Sequence, residues 1–300
     1  MTRFLAPTAE IALTPRVARL LALSALALVA FFGVYLLAVH TELGQRGDEA
    51  ALTGVEQVPE RAQDAAGRLL RTVSVGSLLI ATAVLTGIAL LRRRPALLLL
   101  PAAIIGISLI ATEVFKLWLF ERPDLVIDSK LAGNSYPSGH TTVFASIGLA
   151  FVVVAPRRLR PWAGLLAIGL AASAGVFTVT ADWHRPSDAI GSYSLTLAVT
   201  AGLLALLYAR VPGVATAEMS GAGASRSTAI ARRIEVAGAG AAIVLFIGAL
   251  TFASLRYGPD LDWNRFQAAY LLSSGAIVAA AALTVGSLLR ALRRLPARPR

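Results

Sequence analysis

No cysteine occurs among the 300 residues, which excludes disulfide bonds and thiolate metal sites. Charge is scarce too. Charged residues make up 15% of the chain and hydrophobic residues 56%, a balance too apolar for a soluble globular domain of this size. The chain therefore belongs in a bilayer. Lysine is nearly missing, with Lys116 and Lys130 beside 26 arginines, and histidine is confined to His40, His140 and His184. Any imidazole chemistry must come from these three. The sequence contains no glycine-rich phosphate loop after a strand, no His-Glu-x-x-His cluster and no internal repeat, so neither a nucleotide loop nor a metal or other cofactor is implied.

What is abundant is apolar sequence. A transmembrane helix takes about 20 residues, and eight stretches qualify, at roughly 17–40, 72–91, 95–117, 139–155, 161–182, 187–209, 236–255 and 267–289. The first is too long for a signal-peptide core and ends in "LLAVHTELG", so it reads as a retained span. The expected fold is all-α, a polytopic membrane helical bundle. Six helices in residues 1–210 precede a Gly, Ala and Ser-rich linker at 211–234, and two additional C-terminal transmembrane helices with a basic tail follow in 235–300. Residues 41–71 form an acidic segment outside the membrane, with room for a short surface helix.

The net charge of +11 raises the question of a nucleic-acid partner, and the arginine positions answer it. With the N-terminus inside, Arg16 and Arg19, Arg92 to Arg94, Arg157, Arg158 and Arg160, Arg232 and Arg233, and the tail from Arg290 to Arg300 all fall on the cytoplasmic side. Only Glu10, Glu218 and Glu235 join them there. The positive-inside rule places both termini in the cytoplasm of a multi-pass cell-membrane protein. Topology accounts for the charge, and no nucleic acid is required.

Three polar segments then share the outer face: "FKLWLFERPDL" (115–125), "NSYPSGHTT" (134–142) and "TADWHRPSDAIG" (180–191). In the first, Lys116 closes the third helix and Arg122 is pushed into extended backbone by Pro123. Apart from this site they would read as a snorkelling lysine and a solvated arginine. In the second, Pro137 suits a first helical position, which leaves the amides of Ser138, Gly139 and His140 free to bind an anion. In the third, Pro186 starts another helix. The spacing of His184 and Asp188 lets the carboxylate fix one imidazole nitrogen and free the other as nucleophile or base, although Asp188 also suits a plain helix cap. Trp118, Tyr136 and Trp183 read as interface aromatics, and His40 as interfacial. Two cations, an anion-binding helix start and a His/Asp pair on one face describe a phosphoryl-transfer site, with one histidine attacking and another protonating the leaving oxygen.

These residues resemble the membrane-bound type 2 phosphatidic acid phosphatases, whose pattern is Lys-x6-Arg-Pro, Pro-Ser-Gly-His and Ser-Arg-x5-His-x3-Asp. The central motif is complete at Pro137 to His140, and the last matches at His184 and Asp188. The resemblance spans about residues 72–210. It implies a six-helix phosphatase core in which Lys116, Arg122, Ser138 and Gly139 bind phosphate, His140 is the general acid, His184 forms a phosphohistidine and Asp188 orients it. There are two departures. Lys116 and Arg122 are one residue closer than the pattern, which an extended loop absorbs. Phe177 and Thr178 occupy the Ser-Arg positions, which removes a phosphate-binding arginine; Arg185 is the nearest replacement.

The expected function is a metal-independent phosphatase for a lipid mono- or diphosphate in the bilayer, such as polyprenyl diphosphate, phosphatidate or phosphatidylglycerophosphate. A lipid phosphotransferase and a non-catalytic lipid-phosphate transporter or binding protein are the alternatives.

Overall fold

The computed structural model describes residues 14–126, 129–211 and 261–292. These residues form helices and connections without a strand, as a polytopic helical bundle requires. Helix α1 (Pro15–Val34) starts on a Thr14 cap and continues through a π-helical turn (Tyr35–Val39). Two helices outside the long apolar runs follow, α2 (Glu42–Val55) and α3 (Glu60–Leu70). Then come α4 (Val75–Leu91), α5 (Leu100–Val114, with a π-helical turn at Phe115–Leu119), α6 (Gly139–Val154), α7 (Arg160–Thr180) and α8 (Pro186–Arg210). The final described helix is α9 (Leu261–Ala291).

Among the described residues, five helices are long and apolar enough to cross a membrane: Pro15–Val39, Pro95–Leu119, Arg160–Thr180, Pro186–Arg210 and Arg265–Ala291. The expected span at 72–91 begins at Val75, bent by 64° from α3. The expected span at 139–155 is a 16-residue helix, about 24 Å long and therefore shorter than a hydrocarbon core of about 30 Å. Its length suits an interior helix, since most of its residues are buried. The expected helix at 236–255 and the linker at 211–234 lie outside the described residues.

Packing explains how the ends of these helices meet. Helix α8 runs through the middle against α1, α5, α6 and α9. Gly148 on α6 lies over Ala167 on α7, where a Cβ would come within 3.0 Å of the Ala167 Cα, so the two backbones approach closely. Helix α9 joins the same core: Ile277 and Ala281 are buried with Leu52, Ala171 and Tyr193, and Val285 and Leu288 with Leu20 and Leu204. Burial of such side chains contributes about 1.5–3 kcal/mol each in water, but inside a bilayer close fit matters more than removal from water. At one end of the bundle Arg16 donates to the Leu292 carbonyl (3.2 Å), Arg160 to that of Val153 (3.3 Å) and Arg92 to that of Val154. The opposite end gathers the C-terminal ends of α1, α5 and α7, the N-terminal ends of α6 and α8, and helices α2 and α3.

Candidate functional site

Three connections meet at that second end. The first leaves α5 through its π-helical turn, closed by the Phe120 N–H on the Phe115 carbonyl (2.8 Å). Lys116 sits in this turn, 3.0 Å from the Glu113 carboxylate. A Cβ on Gly139 would stand 3.7 Å from the Lys116 ammonium, so the lysine lies against the start of α6. Arg122 follows in the loop with its side chain only 5% exposed, and its Nη2 is 3.7 Å from Asp48 Oδ2. Its Nη1 is buried and makes no hydrogen bond among the described residues. Burial, and then the nearby Arg185 charge, lower the Arg122 pKa, while Asp48, Asp188 and Glu49 act in the opposite direction.

The second connection differs from expectation in its first turn. Helix α6 begins at Gly139, with Ser138 rather than Pro137 as the boundary; the Ser138 hydroxyl accepts the Thr141 N–H (3.3 Å) and caps the helix. The Ser138 amide is not open to an anion, because it donates to the Asp188 carbonyl (3.2 Å). Gly139 and His140 are the first two helical residues, whose amides have no carbonyl one turn back. Tyr136 is also not an interface aromatic. It is fully buried beside Phe31 and Phe120, its hydroxyl donates to the Phe31 carbonyl (2.6 Å), and a Cβ on Gly191 would overlap its ring. The ring thereby sets the depth of the Pro-Ser-Gly-His turn against α8.

The third connection is a tight reversal after α7. The Thr178 carbonyl accepts the N–H groups of both Trp183 (3.0 Å) and His184 (3.1 Å), and Asp182 takes a positive φ of 59°, which aspartate tolerates better than most residues. His184 emerges beside Pro186 at the start of α8. Its Nδ1 lies 3.2 Å from Asp188 Oδ2, as the spacing predicted. The Asp188 side chain is fully buried and the His184 side chain is 13% exposed, so the carboxylate is sealed while the imidazole reaches the surface of the site. The same Oδ2 accepts the Ser135 hydroxyl (2.6 Å) and the Arg185 amide (3.0 Å). His140 lies across the site, its ring 5.2 Å from Trp183, with His184 and Lys116 near it. Trp183 is covered in turn by the Arg71 guanidinium at 5.5 Å, so it forms a wall beside His140.

Arg185 is buried, and its terminal nitrogens are engaged by the 129–135 loop. They donate to the hydroxyls of Ser135 (2.9 Å) and Ser129 (3.2 Å) and to the carbonyls of Gly133 (3.4 Å) and Leu131. Thr178, at the position of the missing arginine, is buried with its hydroxyl turned back to the Gly175 carbonyl (2.8 Å). The site therefore brings together Lys116, Arg122, Gly139, His140, His184 and Asp188, while Ser138 and Arg185 hold its loops. His40 packs edge-on to Tyr35 and stays apart.

Sequence reasoning missed Ser135, Asn134 and Asp48. Asn134 donates to the carbonyls of Lys116 (3.2 Å) and Phe120 (3.1 Å), linking the first connection to the second. Asp48 accepts the Ser187 amide (3.2 Å) and hydroxyl (2.6 Å) from the first turn of α8. The signal for Asp48 lay in α2, whose buried stripe of Gln45, Asp48, Ala51, Leu52 and Val55 follows helical spacing with two polar residues in it.

Residues 72–212 match the family model described as the PAP2 superfamily. No significant match to a curated protein or to a solved structure was found.

Proposed function

We propose, from the match of residues 72–212 to the PAP2 superfamily, whose members are generally phosphatases of phosphate esters, that the chain is a metal-independent lipid phosphatase working through a phosphohistidine at the extracytoplasmic face. The observation that carries this reading is the His184–Asp188 contact of 3.2 Å at the bundle end that also holds Lys116, Arg122 and His140. Asp188 keeps the proton on Nδ1, and the Nε2 lone pair attacks phosphorus. The bond from phosphorus to the lipid oxygen breaks as His140 gives that oxygen its proton. Water then attacks the phosphohistidine, returns a proton to His140 and releases inorganic phosphate. Lys116, Arg122 and the first amides of α6 face the charge that builds on the three equatorial oxygens.

The lipid class follows from placement. A site at the ends of apolar helices lets an acyl or prenyl tail remain in the bilayer while the phosphate enters, which favours amphiphiles over soluble esters. The test is inorganic phosphate release by purified protein from polyprenyl diphosphate, phosphatidate and phosphatidylglycerophosphate, each with and without excess chelator. Turnover of at least one lipid, unchanged by the chelator, is the expected result. Loss of turnover in chelator with recovery on adding a divalent ion would remove the metal-independent reading. Exchange of lipid without phosphate release would favour a transporter.

Arg185 keeps a place in this proposal, in altered form. Its charge acts on Arg122, and its nitrogens hold the loop that carries Ser135. Arg185→Ala is therefore expected to lower kcat/KM by about 10²-fold, the scale on which a roughly 1 Å misplacement of positioned groups acts, with Arg185→Lys recovering only part because a point charge cannot span the several acceptors of the 129–135 loop. Steady-state kinetics on the best lipid of the panel check this. Unchanged kinetics in Arg185→Ala would mean that the site works with Lys116 and Arg122 alone.

A further inference from the structure

Helix α2 precedes the region matched by the family, yet it grips the loop that carries Arg122 from two positions one turn apart. Gln45 Nε2 donates to the carbonyls of Val39 (2.7 Å) and Pro123 (2.6 Å), and its Oε1 accepts the Leu125 N–H (3.3 Å). Asp48 is 6% exposed and has two tasks: it binds the Ser187 amide and hydroxyl, and it stands 3.7 Å from the Arg122 guanidinium. The Ser187 turn also contains Asp188 and directly follows His184 and Arg185. One carboxylate thus ties the cation loop to the turn of the His/Asp pair. The ion pair occupies Nη2 of Arg122 and leaves the buried Nη1 without a hydrogen-bond partner among the described residues. A buried guanidinium N–H is costly to leave unpaired and suits a phosphate oxygen.

We propose that α2 is part of the phosphate site, with Asp48 and Gln45 as positioning residues that aim the Arg122 guanidinium at a phosphate held between it and His184. The inference deepens the phosphatase reading and rests on it for the catalytic meaning of Arg122.

A carboxylate beside a phosphate site carries a cost. Burial pushes Asp48 up to about 7, with the Asp188 charge adding to the rise and the Ser187 bonds and Arg122 opposing it; Glu49 is the adjacent acid on α2, and it pairs with Ser129 and Lys130. A folded-state pKa above the ordinary carboxylate value means that the folded protein holds this proton more tightly than the unfolded chain. Stability then falls as pH rises between about 4 and 7, and stays lower above that range. Asp48→Asn keeps the shape, and its amide can still pair with Ser187, so the variant should melt no lower than the parent at pH 8. A merely structural Asp48 would leave function unchanged in such a variant. A positioning Asp48 predicts a stable protein that binds phosphate poorly.

The experiment measures the rise in melting temperature produced by inorganic phosphate, as an apparent affinity, for the parent, Asp48→Asn, Arg122→Ala and the double variant, with lipid turnover recorded beside it. Asp48→Asn is expected to weaken phosphate binding about tenfold in the parent background and less than about twofold once Arg122 is gone, the signature of residues acting as one unit. Gln45→Ala, which changes no charge, should show a smaller loss with the same dependence on Arg122. Equal costs of Asp48→Asn in both backgrounds, no cost in either, or a parent that binds no phosphate at any soluble concentration would overturn the proposal. A parent that binds phosphate but turns over no lipid would remove the phosphatase reading, and the cycle would still decide the role of Asp48.

Discussion

His184→Ala abolishes turnover, by about 10⁵-fold or more, if the imidazole forms the covalent bond to phosphorus, because His140, the other imidazole at the site, stands on the leaving-group side in the proposed mechanism. Asp188→Asn is expected to cost far less, about 10²-fold. The reason is geometric. Three donors converge on Asp188 Oδ2, namely the Ser135 hydroxyl, the Arg185 amide and the His184 ring. An asparagine oxygen is held in that place by the first two, so the tautomer of His184 survives and only the charge is lost. Single-turnover rates with a labelled lipid check both variants. Equal losses in the two would mean that Asp188 does more than orient the ring.

His140→Ala separates the two histidines by leaving group. A lipid alkoxide needs its proton during bond cleavage, and a general acid contributes about 10²–10⁴-fold in such a step. An activated aryl oxygen leaves as its anion and does not. The expected result is a loss of at least about 10²-fold on the natural lipid and near-parental rates on an aryl phosphate, whereas His184→Ala stays inactive on both. In the proposed mechanism, the position of His140 in the first turn of α6, across from His184 and walled by Trp183, would let it face the departing oxygen. A defect of equal size on good and poor leaving groups would assign His140 to phosphate binding.

The helices and the main motif positions could be read in advance because their signals are local. Apolar runs of about 20 residues mark spans whatever surrounds them, and His184 and Asp188 sit four apart at the start of one helix, so their contact follows from helical spacing alone. Pro186 opened α8 as its chemistry suggests, but Pro137 did not open α6; there the Ser138 amide found the Asp188 carbonyl, a partner 50 residues away that no local rule identifies. Tyr136 illustrates the same limit. An aromatic beside a membrane mouth resembles an interfacial anchor, and only the packing of Phe31 and Gly191 around it shows that it is interior. Asp48 was hidden for another reason. Its segment is acidic overall, so one carboxylate on the buried stripe of α2 looked like the rest, although its neighbours Ala51, Leu52 and Val55 gave the face away. Arg185 stands out in the sequence only as the nearest replacement for the arginine absent at Thr178, and the bonds that turn its guanidinium into the 129–135 loop are tertiary.

The central claim is the phosphohistidine, and trapping it tests the claim most directly. Purified protein is mixed with lipid labelled at the phosphate, quenched within one turnover, digested and mapped. The account predicts protein-bound phosphate that is stable in alkali, lost in acid and carried by the peptide containing His184. Phosphate release at full rate with no such label, or a label on any other residue, would contradict it.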